Sequence, residues 1–141
     1  MPIVAEAQLE APLVEWLRIG GFEVAREVPV FGRRADLVAA RGGRVAAVEL
    51  KLVDWREALR QAIAYQIVAD EAWVAMPLVS AARAYREAWR FEAEGVGLLA
   101  VDDVGRVRLP ILARDSPRLL PFAQAALRTL FSKEATGLEA F

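Results

Sequence analysis

At 141 residues and 15.5 kDa, with 56% apolar and 26% charged residues, the chain has the size and composition of one domain with a full core, which excludes disorder as its main state. The net charge of −1 gives no global basic field for nucleic acid. Histidine and cysteine are both absent, which removes zinc fingers, thiol chemistry and Ser-His-Asp triads. Any catalysis must then run on carboxylates, lysine, tyrosine or hydroxyls, with a hard metal ion. No apolar run approaches the roughly 18 residues of a membrane span, and MPIVAEAQLE lacks a basic export n-region, so a cytoplasmic domain is expected. Asparagine is absent and arginine outnumbers lysine 16 to 2, a bias that heat adaptation and a GC-rich genome would both produce.

In chain order, residues 5–19 read as a helix, with Leu9, Leu13, Trp16 and Leu17 at helical spacing and Gly20-Gly21 as the stop. Pro12 would cost about 3 kcal/mol deep inside a helix, which favours a start near Glu10 with Pro12 in the first turn. Phe22 to Val28 alternates as a strand ending before Pro29. Arg33 to Arg41 and Arg44 to Leu52 are β-prone runs around a Gly42-Gly43 hairpin turn. Asp54 caps a helix to about Ala69, with Glu57 completing a capping box. Residues 72–76 form a short buried strand. Ser80 caps a helix to about Glu94, strands follow at 96–101 and 106–109, and Ser116-Pro117 opens a last helix to Phe131. The expected order is α-β-β-β-α-β-α-β-β-α: an α/β fold with a mixed sheet and flanking helices, one domain over 1–132 and a tail over 133–141.

The hairpin carries the chemistry. With Gly42 and Gly43 in the turn, Arg41 faces Arg44 and Asp36 falls directly across from Glu49. Opposed side chains share a face with Cβ atoms roughly 4.5–5.5 Å apart, so two carboxylates repel unless a cation stands near. Lys51, two residues beyond Glu49, turns to the same face, and its cross-strand partner is Arg34. A Glu-x-Lys on a strand is commonly a solvated face, but such a face has no reason to oppose two acids. Where this chain needs only positive charge it uses arginine, yet here it places one of two lysines. Oxygen ligands of this kind suit Mg²⁺ or Mn²⁺.

Arg34-Ala35-Asp36, a short hairpin, Val48-Glu49-Leu50-Lys51 and a following helix resemble the PD-(D/E)XK nuclease superfamily, whose restriction-endonuclease-like core has a similar α-β-β-β-α-β order. The resemblance covers residues 5–76. Gln61 and Tyr65 are similar to the Gln-x-x-x-Tyr signature of the RecB-like branch, and Glu10 before Gly21-Phe22 is similar to the helix-one glutamate of archaeal Holliday-junction resolvases. Glu6, one turn earlier, is the alternative for that role. Ala35 stands where the family often has proline, and the near-neutral charge is unlike the basic resolvases.

The resemblance implies a Mg²⁺- or Mn²⁺-dependent deoxyribonuclease in repair, recombination or defence. In it Asp36, Glu49 and the Leu50 carbonyl hold the metal, and Lys51 orients or activates water and stabilises charge on the scissile phosphate. Glu10 or Glu6 binds a metal-bound water or a second metal, and Gln61 and Tyr65 brace the site or contact substrate. Each of these has a plain reading beside it: solvated helix acids, a surface glutamine and a core-edge tyrosine. Arg33, Arg34, Arg41 and Arg44 are nucleic-acid contact candidates around the hairpin. Arg83, Arg86 and Arg90, with Tyr85 and Trp89 interleaved, form a second stripe that Glu87, Glu92 and Glu94 could neutralise; Trp16, Trp55, Trp73 and Trp89 read mostly as core by spacing, none of them as a stacking platform. A chain this small implies a homodimer or a larger partner for gripping DNA. The alternative class is a catalytically silent domain of the same fold that binds nucleic acid or a protein. A small-molecule-binding domain ranks last, because no glycine-rich phosphate loop follows any strand.

Overall fold

Six strands make one mixed sheet in the order β1-β2-β3-β4-β5-β6, seen in a computed structural model that describes residues 2–129. Strands β1 (Glu23–Val30), β2 (Arg33–Arg41) and β3 (Arg44–Leu50) run as an antiparallel meander. Helix α2 (Trp55–Tyr65) crosses back to β4 (Glu71–Pro77), parallel to β3. Helices α3 (Leu78–Tyr85) and α4 (Ala88–Glu94) lead to β5 (Gly97–Val101), parallel to β4, and β6 (Val107–Ile111) closes the edge antiparallel. Helix α1 (Glu6–Ile19) precedes the sheet, and residues 121–129 form helix α5. The fold is thus mixed α/β, as the element pattern leads one to expect, with one more helix than expected among the described residues. Among the described residues no helix is long and apolar enough to cross a membrane.

The two-residue strand period divides the core between two faces. Leu37, Ala39, Val48 and Leu50 pack with Leu9, Leu13, Val14 and Leu17 of α1. On the other face Val38, Val45 and Ala47 pack with Tyr65 and with Ala123 and Leu127 of α5. Farther along that face, Ala72, Val74, Leu98 and Ala100 meet Trp55, Ala58 and Ala62 of α2 and Phe91 of α4. Gly97 lies opposite Trp73, where an added Cβ would stand 2.3 Å from the indole. Glycine is what lets that ring lie over β5.

Local expectations are corrected in several places. Pro12 sits inside α1, which starts at Glu6; four buried apolar residues hold the helix against the sheet, and the Gln8 amide oxygen accepts the N–H groups of Val4 and Ala5. Strand β1 continues through Pro29, which an edge strand tolerates because its missing N–H leaves no inner ladder bond unmade. Helix α2 stops at Tyr65 and turns through residues 66–68. Ser80 is not a cap: the helix starts at Leu78 after Pro77, and the Ser80 hydroxyl donates to the Leu52 carbonyl. The expected single helix to Glu94 breaks where Glu87 leaves helical geometry (φ −114°, ψ 33°). The last helix begins at residue 121, because Ser116 N–H is tied to the Asp70 carbonyl and Leu120 N–H to the Ile67 carbonyl. Its expected end at Phe131 and the tail over 133–141 lie outside the described residues.

Candidate active site

The hairpin register is the one its glycine turn dictates, with Arg41 opposite Arg44 and Leu37 opposite Val48. One step further Asp36 faces Glu49, and there the ladder opens: an Asp36 carboxylate oxygen accepts the Leu50 N–H at 2.8 Å. The Asp36 and Glu49 carboxyls stand within hydrogen-bonding reach of each other. On the far side of β2, Glu27 would be the third acid in this row, since Arg26 pairs with Leu37 and Val28 with Ala35. Glu27 instead adopts φ +50°, interrupting the ladder opposite Asp36. Its side chain is 74% exposed, 3.9 Å from Arg34. A non-glycine residue held there costs on the order of 1–3 kcal/mol, and the strained position lies beside the acid pair.

Burial and then the Asp36 charge push the Glu49 carboxyl up to about 7. Burial also raises Asp36, opposed by the Leu50 N–H, with the Glu6 and Glu10 charges of α1 adding to the rise. The contact between the two carboxyls favours the ionised form of Asp36 and the protonated form of Glu49.

Helix α2 supplies the brace. Tyr65 is 1% exposed, and its hydroxyl oxygen lies 2.9 Å from Glu49 Oε1 and 2.9 Å from the Arg34 carbonyl. A phenol has one proton for two acceptors. With Glu49 ionised, Tyr65 donates to it; with Glu49 protonated, the carboxyl donates to Tyr65, which donates onward to Arg34. Burial and the Glu49 charge hold the phenol above its usual range, so Tyr65 keeps its proton. At that burial Tyr65 positions Glu49 and does not meet substrate. One turn earlier, the Gln61 amide oxygen accepts from Arg33 at 2.6 Å and its amide group donates to Glu57 at 3.3 Å. Gln61 thus aims a guanidinium, and the Arg33 charge acts on Tyr65.

Lys51 continues β3 through its N–H bond to the Ala75 carbonyl at 3.1 Å, and its charge opposes the rise in Glu49. The structure uses Leu50 through its N–H. Glu10 is held by Arg26 at 2.5 Å, while Glu6 is exposed and forms no ion pair among the described residues. Of the four hairpin arginines only Arg33 and Arg34 stand at the Asp36 end. Arg41 donates to the Gly20 carbonyl and covers the Phe22 ring, and Arg44 pairs with Asp115 at 2.6 Å. Five strand residues place Arg41 about 16 Å from Asp36 at roughly 3.3 Å per residue. The Leu50, Arg33 and Arg34 backbone and side-chain braces were not readable from spacing; only the Gln61–Tyr65 interval hinted at them.

Among the described residues no three or more His, Cys, Asp or Glu converge on one metal position. Two desolvated, mutually repelling carboxylates nevertheless fit a hard divalent cation such as Mg²⁺, which is commonly held by one or two carboxylates with waters and substrate phosphate completing its shell.

No family model matches the chain, and no curated protein matches it. Among solved structures it is similar to SPO1766, a protein of unknown function from Silicibacter pomeroyi, with a TM-score of 0.73 and 22% identity over 96% of this chain and 89% of that one. A likeness at that identity is one of fold: the two chains share an architecture.

Proposed function

We propose that the protein is a divalent-cation-dependent phosphodiesterase that hydrolyses nucleic acid, with DNA as the substrate implied by the PD-(D/E)XK resemblance. The observation that carries this reading is the desolvated Asp36–Glu49 pair on adjoining strands with the Lys51 charge acting on Glu49. Asp36 and Glu49 hold Mg²⁺ or Mn²⁺, which when bound supplies charge neutralisation and Lewis acidity toward a phosphate. Leu50 N–H and Tyr65 each fix one oxygen of the pair. Lys51 sets its ammonium beside the phosphate, where it stabilises negative charge that grows as water attacks phosphorus and the ester oxygen departs. Arg33, aimed by Gln61, grips a neighbouring phosphate. Glu6 and Glu10 add negative charge at the Asp36 side, which strengthens cation binding.

The test incubates wild type and Lys51→Ala with labelled single-stranded, duplex and branched DNA in Mg²⁺ or Mn²⁺. Wild type is expected to cut, and the variant to cut about 100- to 1000-fold more slowly, the usual effect of removing one charge-stabilising donor. Equal cutting by both proteins removes Lys51 from the mechanism. No cutting of any substrate overturns the hydrolase reading in favour of a binding module.

A further inference from the structure

Of the four tryptophans, Trp89 alone stands well clear of the core: it is 62% exposed, whereas Trp55 is 8% exposed and Trp16 and Trp73 are partly buried. Spacing places the four mostly in the core, and Trp89 is the exception. The Trp89 indole is held in place by its Nε1–H, which donates to Glu87 at 2.8 Å. The Arg90 guanidinium lies over it, 5.1 Å from the ring centroid, and also 6.0 Å from that of Trp55. Arg56 also covers the Trp55 ring, 4.4 Å from its centroid. Arg56 and Arg60 are one turn apart on α2, about 6 Å at 1.5 Å per residue, and both are exposed. The next residue, Gln61, holds Arg33. Glu57 accepts from both Gln61 and Arg60, so contacts run from Arg33 to Arg60, and Arg56 one turn on leads by way of Trp55 and Arg90 to the exposed indole.

We propose that this run, Arg33–Arg60–Arg56–Arg90–Trp89, is a track for single-stranded nucleic acid leading to the carboxylate pair. As a statement of substrate class it rests on the phosphodiesterase reading. The chemistry favours a single strand over a duplex. An anchored indole beside a guanidinium offers a π-face to an unstacked base, whereas duplex bases are already stacked on one another. Glu57 and Glu87 lie among the arginines and offset part of their charge, so the track cannot rely on phosphate attraction alone. The stack on Trp89 supplies what the charges do not.

The experiment measures binding of a fluorescent 12-nucleotide single strand and of its duplex by anisotropy, in chelator so that no cutting intervenes. Wild type is expected to bind the single strand more tightly than the duplex. Trp89→Ala is expected to weaken single-strand binding by about 5- to 150-fold, the range of one base–aromatic stack, and Trp89→Phe to restore most of it. Arg56→Gln/Arg60→Gln is expected to flatten the salt dependence by about 1.4 in the log–log slope, at about 0.7 per lost phosphate contact. Equal affinity for duplex, or Trp89→Ala binding like wild type, overturns the track. Absence of single-strand binding does the same and reassigns the Trp–Arg patch to a protein contact. Tryptophan-dependent binding in chelator without cutting in Mn²⁺ keeps the track and removes the hydrolase. Cutting that is insensitive to Trp89→Ala keeps the hydrolase and removes the track.

Discussion

Replacing Glu49 by glutamine should stabilise the protein at alkaline pH while abolishing its chemistry. The unfolded chain releases this proton near the ordinary value of 4.5, whereas burial and the Asp36 charge hold it in the folded state to about 7. Between those values the folded state binds more protons, so stability falls as pH rises and the loss is complete above about pH 7. The full shift corresponds to about 3 kcal/mol at 1.36 kcal/mol per pH unit. Screening of this half-buried group reduces that to about 1–2 kcal/mol. Glutamine is isosteric, its oxygen accepts from Tyr65, and its amide group donates to Asp36 in place of the repulsion. Thermal unfolding at pH 8 should therefore show Glu49→Gln about 3–8 °C above wild type, converging with it near pH 4. Saturating Mg²⁺ should raise wild type by about 3 kcal/mol at a hundred times the dissociation constant and leave Glu49→Gln nearly unmoved. A variant less stable than wild type at pH 8, or one that keeps the wild-type pH slope, would show that the acid pair is not a site of repulsion and would refute the argument.

Two other substitutions probe the same frame. Tyr65→Phe removes the hydroxyl between Glu49 and the Arg34 carbonyl, at a cost of about 0.5–1.5 kcal/mol in unfolding. Because that hydroxyl favours ionised Glu49, the acid limb of the activity profile should move to higher pH, and an unmoved limb would remove Tyr65 as the positioning residue. Gly97→Ala puts a Cβ 2.3 Å from the Trp73 ring and 2.7 Å from the Ala113 nitrogen. Overpacking of this kind costs about 1–3 kcal/mol, so a calorimetric melt should show a lower Tm with activity per folded molecule unchanged; a neutral result would mean β4 and β5 part easily.

What the sequence determined by itself is local. The pair Gly42-Gly43 sets the hairpin turn and its register from Arg41–Arg44 to Leu37–Val48, and one step beyond lie Asp36 and Glu49. The alternation of strand-forming and helix-forming segments likewise decides a mixed α/β architecture. These readings need only geometry that repeats along one chain segment. The rest depends on how α-helices dock on the sheet, which no spacing encodes. Tyr65 reaching Glu49, Gln61 aiming Arg33 and Arg26 holding Glu10 each join residues 16 or more positions apart. The left-handed Glu27 and the break at Glu87 are also decided only in three dimensions. The former interrupts the ladder beside Asp36, and the latter separates α3 from α4, where Trp89 lies outside the core that buries Phe91. Helical periodicity assumes an unbroken helix, so it assigned that indole to the interior. Whether an aromatic residue faces the core or the solvent is settled by the packing of its neighbours, because burial is a property of the assembled surface and not of the residue.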